Sequence, residues 1–355
     1  ISRQMIQDGE LQRSIEEIGI RGVTSNPTIF QKAIAAGDVY DEEITNLLKQ
    51  GLQPAEVFQT VAVKDIQDAC DIFRPLYDET GGEDGYVSIE VLPSLARDAE
   101  GTMENARVLW SAIERPNLMV KVPGTDEGVS AIRTLLTEGI NINITLLFSL
   151  ANYERVARAY IEALARRHEN GLHIESLASV ASFFVSRVDT LADKLLDEKL
   201  SSGNGDPELI RSLKGKVAVA NAVMAYEKFE ELFDSDEFKP LADAGAMVQR
   251  PLWASTGTKN PEYSDVLYVD SLIGPHTVNT APPKTIAAFL DHGTVKRTVD
   301  SDYAAAHEVL DDLHKVGLDI DEITKQLEEE GIETFMSSYD ELLAGVEGKR
   351  SLIEA

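Results

Sequence analysis

Lys121 stands in the run NLMVKVPGT with apolar residues on both sides. Taking an ammonium group out of water is costly unless the group is paired or neutralised, so desolvation favours a neutral amine. A neutral lysine amine attacks a ketone or aldehyde to form a Schiff base, and the imine then serves as an electron sink for breaking or making the adjacent C–C bond. The ordinary alternative is a lysine at a strand end that keeps its head in water. Its company decides between the two. Glu90 closes the run YVSIE and alternates away from Val87, Ile89 and Val91. A carboxylate there can carry protons through a water while an imine forms and hydrolyses. Asn143 and Thr145, on the polar phase of NINITLL, offer donors and acceptors to substrate hydroxyls, and Asn26 and Ser182 add two more. Each of these residues alone has a structural reading, but several polar groups converging at strand ends describe a site.

The elements that must position them follow a βα rhythm, with helical periodicity alternating with short apolar runs that end in Gly, Pro, Asn or Thr. Strands are predicted over residues 22–26, 86–91, 118–122, 141–147, 179–185, 252–255 and 270–273. Helices are predicted over 41–50, 54–79, 102–115, 126–138, 149–170, 188–200, 207–235 and 284–292. The spacing of the strands suits parallel crossovers, and no Asn-Gly or Asp-Gly hairpin joins any two of them. A doubly wound open sheet would make its strands apolar on both faces. Here Ser88 and Glu90 oppose Val87, Ile89 and Val91, and Asn141, Asn143 and Thr145 oppose Ile142, Ile144 and Leu146. Such polar phases favour an α/β fold of the (β/α)8 TIM-barrel kind with a ligand site at its carboxyl end. A half-exposed edge strand would show the same pattern. Residues 1–300 are expected to form the barrel and 301–355 a helical extension of the same domain, read as three acidic amphipathic helices with solvated charged faces.

The 355 residues carry 33 basic and 61 acidic side chains, a net charge of −28. This argues against a nucleic-acid or anionic-membrane surface and requires that any anionic ligand be held by local cations. No apolar run approaches the length of a membrane span, and no basic-then-apolar signal pattern opens the chain. The lone Cys70, within the helical run KDIQDACDIF, reads as a buried small apolar residue in a reducing compartment. Nucleotide, zinc and serine-hydrolase motifs are absent from the sequence, so those readings lack their usual support. His276 follows the last predicted strand, where a histidine is more often solvated than functional.

In order along the chain, GVTSNPTIF, VSIEV, NLMVKVPGT, NITLLFS, SVASFFVSRVD and RPLWASTGTKNP closely resemble the successive motifs of the transaldolase family, in its longer bacterial and plastid form. The resemblance runs from residue 1 to about residue 345. It implies a class I aldolase barrel, without metal or organic cofactor, that moves a dihydroxyacetone unit from sedoheptulose 7-phosphate to glyceraldehyde 3-phosphate. Erythrose 4-phosphate and fructose 6-phosphate would be the products. By motif, Lys121 would be the Schiff-base lysine, and Glu90 with Thr145 would hold the catalytic water. Asn26 and Asn143 would bind the dihydroxyacetone part, with Ser182 lining the same pocket. Arg187 and Ser255 would bind phosphate. Shorter transaldolases carry an arginine soon after that serine, where the cation here is Lys259. The ordinary alternative for Arg187 is a surface ion pair with Asp189. The small fructose-6-phosphate aldolases of this superfamily place a tyrosine where this chain has Phe184, which favours transfer over simple aldol release. An inactive barrel is the third reading. The family's acid–base aspartate is expected on a first strand upstream of Ile1, with Asp8 a poor substitute. The expected location is the cytoplasm, or alternatively the plastid stroma.

Overall fold

The computed structural model describes residues 1–353. Seven strands alternate with helices: β1 (Gly22–Thr24), β2 (Tyr86–Glu90), β3 (Leu118–Pro123), β4 (Ile142–Leu147), β5 (Ser179–Phe184), β6 (Arg250–Ala254) and β7 (Val278–Asn279). They hydrogen-bond in sequence order from β1 to β7. The pairings of β1 with β2, β2 with β3, β5 with β6 and β6 with β7 are parallel. At least one helix lies between consecutive strands, as parallel neighbours require. A mostly parallel seven-stranded sheet interleaved with helices is an α/β, barrel-like arrangement.

The chain forms two compact units. The first comprises Ile1–Val122, Thr134–Asn143 and the segment from Gly331 on. Its longest helix, Pro54–Glu79, starts with proline at its first position and a capping box between Gln53 and Glu56, which satisfies amide groups that the first turn leaves free. Val57, Val61, Ile66, Ala69, Cys70 and Phe73 recur along it at helical spacing and are fully buried. Burial pushes the Cys70 thiol up to about 12, so this cysteine is the inert core residue expected. Asp65 on the same helix, 1% exposed, accepts from Arg3 Nε at 2.8 Å and from the Tyr40 hydroxyl at 2.9 Å. These bonds hold the amino-terminal helix Arg3–Gln7 in place. The C-terminal helix joins the unit through Ser338, whose hydroxyl accepts from Thr28, and through Tyr339, edge-on to Phe58.

The second unit comprises Pro123–Arg133 and Ile144–Glu330. Helix Leu150–Glu169 is capped by Ser149 and buries Tyr153, Val156, Tyr160 and Leu164. Helix Val217–Phe233 is buried on most of its circumference. The Phe183 ring on β5 meets Tyr153 and Trp253 edge-on, and Trp253 donates its indole N–H to Leu272 O at 2.9 Å.

The polar phases of the strands are buried. Ser88, Lys121, Asn141, Asn143, Thr145 and Ser182 are all 5% exposed or less, so the half-exposed edge strand does not apply to them. Three predicted elements differ. Residues 270–273 are no strand: helix Leu267–Asp270 runs into a turn that buries Leu272, and β7 follows at Val278–Asn279. The predicted 207–235 helix is two, Pro207–Leu213 and Val217–Phe233, broken where Gly215 adopts φ 71. The predicted three-helix tail is the helices Tyr303–Lys315 and Ile320–Gly348 and a 3-10 turn. The second helix runs through Gly331, since one glycine costs a helix only about 1 kcal/mol.

Candidate active site

In the first unit, Glu90 on β2 and Lys121 on β3 are register partners. Partners on adjacent strands project to the same side of the sheet. Their side chains therefore meet, with Lys121 Nζ 3.3 Å from Glu90 Oε2 and only 6% and 3% of the two side chains exposed. The contact has ion-pair length but lacks hydrogen-bond alignment, and Oε2 has no hydrogen-bond partner among the described residues. Burial raises the Glu90 carboxyl above its ordinary range, against the pull of Lys121. A carboxyl so held keeps its proton to higher pH, the form that can protonate a departing hydroxyl. Nζ also reaches the carbonyl of Ser25, at 3.5 Å. The amine is thus held in place with little of its bonding capacity used.

Asn143, the second residue of β4, donates from Nδ2 to Ser88 Oγ at 3.0 Å. Ser88 lies two residues before Glu90, on the same strand face. Its carbonyl accepts from Ser25 Oγ at 2.8 Å. Asn26, beyond the end of β1, caps the helix Pro27–Ala35 by accepting from Ile29 N at 2.8 Å, so part of its side chain is in structural use. A cleft bordered by Asn26, Phe30, Phe58, Leu92 and Tyr339 reaches Glu90. Ser25 and Ser88 are parts of this cluster that motif reading passed over. Ser88 was legible as the polar neighbour of Glu90 in strand phase, whereas Ser25 meets Lys121 through its backbone carbonyl, which no side-chain pattern reports. Asp8 ends the helix Arg3–Gln7, exposed and bonded to Gln4, and offers no acid–base group to this cluster.

In the second unit, the Thr145 hydroxyl is buried without a hydrogen-bond partner among the described residues, and the Thr145 carbonyl accepts from Gly124 N at 2.8 Å. Leu146 follows at φ 57. Ser182 is buried on β5, which Phe184 ends. The Arg187 guanidinium lies 5.3 Å from the centroid of the Phe184 ring, within cation–π range. Burial lowers its pKa from the ordinary value while Glu330 acts the other way. The ordinary alternative for Arg187, an ion pair with Asp189, does not form. Asp189 instead accepts from Ala218 N at 2.7 Å and from the Tyr268 hydroxyl at 2.8 Å. Ser255 follows β6 at φ 55, with Oγ 2.9 Å from Ser186 Oγ. Ser186, next to Arg187, is a further residue that the motif reading missed. Lys259 is exposed in the loop that follows Ser255, and His276 is exposed at φ 59. Among the described residues no group of three or more His, Cys, Asp or Glu stands together to hold a metal ion. No helix there is long and apolar enough to cross a membrane.

A buried lysine beside a buried carboxyl is the equipment of imine chemistry. The wider comparison agrees with it. The family model described as transaldolase/fructose-6-phosphate aldolase matches residues 1–346. The chain is 47% identical over 353 residues to a protein named transaldolase from Trichodesmium erythraeum, covering 98% of this chain and 93% of that protein. It is 47% identical over 344 residues to the transaldolase of Thermobifida fusca, covering 97% and 92%. To transaldolase 2 of Nostoc sp. it is 45% identical over 358 residues, covering 99% and 94%. With a family match along nearly its whole length and a lysine–carboxyl pair of the kind this chemistry needs, the chain belongs to the transaldolase/fructose-6-phosphate aldolase family.

Proposed function

We propose that the protein is a transaldolase that transfers a dihydroxyacetone unit between sugar phosphates by way of a Schiff base on Lys121. The observation that carries the residue assignment is the buried Lys121–Glu90 pair at 3.3 Å. The amine adds to the ketose C2 carbonyl, and Glu90 protonates the departing hydroxyl through a water, leaving an iminium. The C3–C4 bond then breaks, its electrons moving into the iminium while the C4 hydroxyl loses its proton to a base. The aldose leaves, and the enamine that remains adds to the carbonyl of the acceptor aldehyde. Hydrolysis of the new iminium returns Lys121. Asn26 and Asn143 bind the hydroxyls of the three-carbon unit, Thr145 and Ser182 supply further polar groups, and Arg187 with Ser255 and Lys259 binds phosphate. Arg187 suits this role because it lacks an ion pair among the described residues, and a guanidinium binds phosphate bidentately. The fold we propose is the closed (β/α)8 barrel, which the buried polar strand faces support. Sedoheptulose 7-phosphate and glyceraldehyde 3-phosphate are the proposed substrates, and the cytoplasm the proposed location.

Phe184 supports transfer over simple release, because it has no hydroxyl to activate a water. Borohydride with fructose 6-phosphate should trap a covalent adduct that peptide mapping places on Lys121, and release of three-carbon product should depend on an aldehyde acceptor. An adduct on another lysine, or full turnover by Lys121→Ala, would refute the assignment.

A further inference from the structure

The helix Ser186–Ser202 carries Arg187, and it also carries Ser186, Asp189 and Asp193. These three stand at i, i+3 and i+7, a spacing that puts them on one face of a helix. Each is bonded to the chain that follows β6. Ser186 Oγ lies 2.9 Å from Ser255 Oγ, and Ser186 N donates to Ser255 O at 2.9 Å. Asp189 accepts from the Tyr268 hydroxyl at 2.8 Å, and Asp193 from the Tyr263 hydroxyl at 2.7 Å. The second oxygen of each carboxylate is also in use. Asp189 takes the amide of Ala218, capping the helix Val217–Phe233, whose own N-cap residue Lys216 makes no side-chain bond. Asp193 takes the amide of Gly215 at 3.0 Å. Gly215 has φ +71, and a Cβ built on it would come within 2.8 Å of the Tyr263 ring. The tyrosine therefore lies directly on that glycine, and its position is fixed by packing as well as by its hydroxyl.

The segment between these anchors holds its own shape: Thr258 Oγ1 donates to Ser264 O, Tyr263 N to Asn260 O and Glu262 N to Asn260 Oδ1. Near the start of the segment, Thr256 Oγ1 donates to Asn279 Oδ1 on β7. A loop rigid within itself and bonded at three points along one helix moves with that helix. We propose that Asp189 and Asp193 are positioning residues for phosphate binding, which clamp the Ser255–Tyr268 loop to the helix that presents Arg187 and so set the spacing of Ser255 and Lys259 from the guanidinium. The proposal deepens the phosphate assignment made above and rests on it. It also accounts for what Asp189 does in place of pairing with Arg187. Neither carboxylate touches substrate; each acts through the loop.

The test compares glyceraldehyde 3-phosphate with unphosphorylated glyceraldehyde as acceptor. Tyr263→Phe keeps the ring on Gly215 and removes only the bond to Asp193. It should raise KM for the phosphorylated acceptor about 3- to 10-fold, the size expected of one lost hydrogen bond. Both kcat and the KM for glyceraldehyde should stay within about twofold of wild type. Asp193→Ala should behave in the same way, and Asp193→Asn, whose amide oxygen still accepts from the tyrosine, should fall between it and wild type. An unchanged KM for the phosphorylated acceptor in both Tyr263→Phe and Asp193→Ala, or equal losses with both acceptors, would overturn the proposal. Arg187→Ala, measured alongside, separates the two levels. If it discriminates between the acceptors while Tyr263→Phe does not, only the clamp is wrong. If Arg187→Ala itself fails to discriminate, the phosphate assignment falls and the clamp with it.

Discussion

Glu90 and Lys121 face each other as register partners on adjacent parallel strands, with Nζ and Oε2 3.3 Å apart and both side chains almost fully buried. The carboxyl is held above its ordinary range by burial, which suits a group that alternates between giving and taking a proton during imine formation and hydrolysis. Glu90→Gln keeps the shape and removes that function. It should lower kcat by about 10²- to 10⁴-fold, the usual worth of a positioned general acid or base. Single-turnover borohydride trapping should show the imine accumulating more slowly with the adduct still on Lys121. Wild-type imine kinetics in this variant would remove Glu90 from the mechanism.

Arg187 stands over Phe184 without an ion-pair partner among the described residues. Its replacement by alanine should raise KM for fructose 6-phosphate far more than KM for dihydroxyacetone, since a hydrogen bond to a charged group contributes about 1.5–3 kcal/mol. Lys259 is exposed, so Lys259→Ala should show the same selectivity more weakly. Steady-state kinetics with the two donors decides this, and equal losses would indicate a folding defect.

Asp65 is buried among Arg3 and Tyr40, and Arg3 is also paired with Glu43. Removing one partner of a buried pair leaves the other charge desolvated, so Asp65→Ala should destabilise the first unit by about 3 kcal/mol. Tyr40→Phe removes one bond and should cost about 1 kcal/mol. Urea unfolding followed by far-UV circular dichroism measures both, and Asp65→Ala with wild-type stability would show that the Arg3–Tyr40–Asp65 cluster contributes nothing.

Burial raises the Asp189 carboxyl to about 6, against the bonds from Ala218 and Tyr268 that favour its ionised form. For a group whose folded pKa lies above its unfolded value, the stabilisation is complete below the unfolded pKa and is lost as pH rises through the folded one. Wild-type protein should therefore lose on the order of 2 kcal/mol from this group between about pH 4 and pH 7. Asp189→Asn does not titrate. Its Tm minus that of wild type should rise between the unfolded and folded pKa values, with a midpoint near 5, and level off above about pH 6, as thermal unfolding at several pH values would show. A difference that stays flat with pH would mean that Asp189 titrates normally.

Local chemistry and strand phase were enough to identify Lys121, Glu90, Asn143 and Thr145 as one family of buried polar positions, because alternation along a strand is a short-range property that any buried face imposes. The same logic located six of the seven strands to within about two residues. It failed at 270–273, where the apolar run after Asp270 is a buried turn, since a short apolar run looks the same in a strand, a helix end or a turn. It failed again at Gly215, where the break between two helices follows from the bond to Asp193 and the ring of Tyr263, both distant in sequence. Tertiary structure alone decided that Glu90 meets Lys121, because register between strands 31 residues apart is set by packing and not by either segment. It likewise decided that Arg187 is left without Asp189. A carboxylate two residues away on a helix points to a different side, and on that side Asp189 meets Ala218 and Tyr268, partners brought there by the fold.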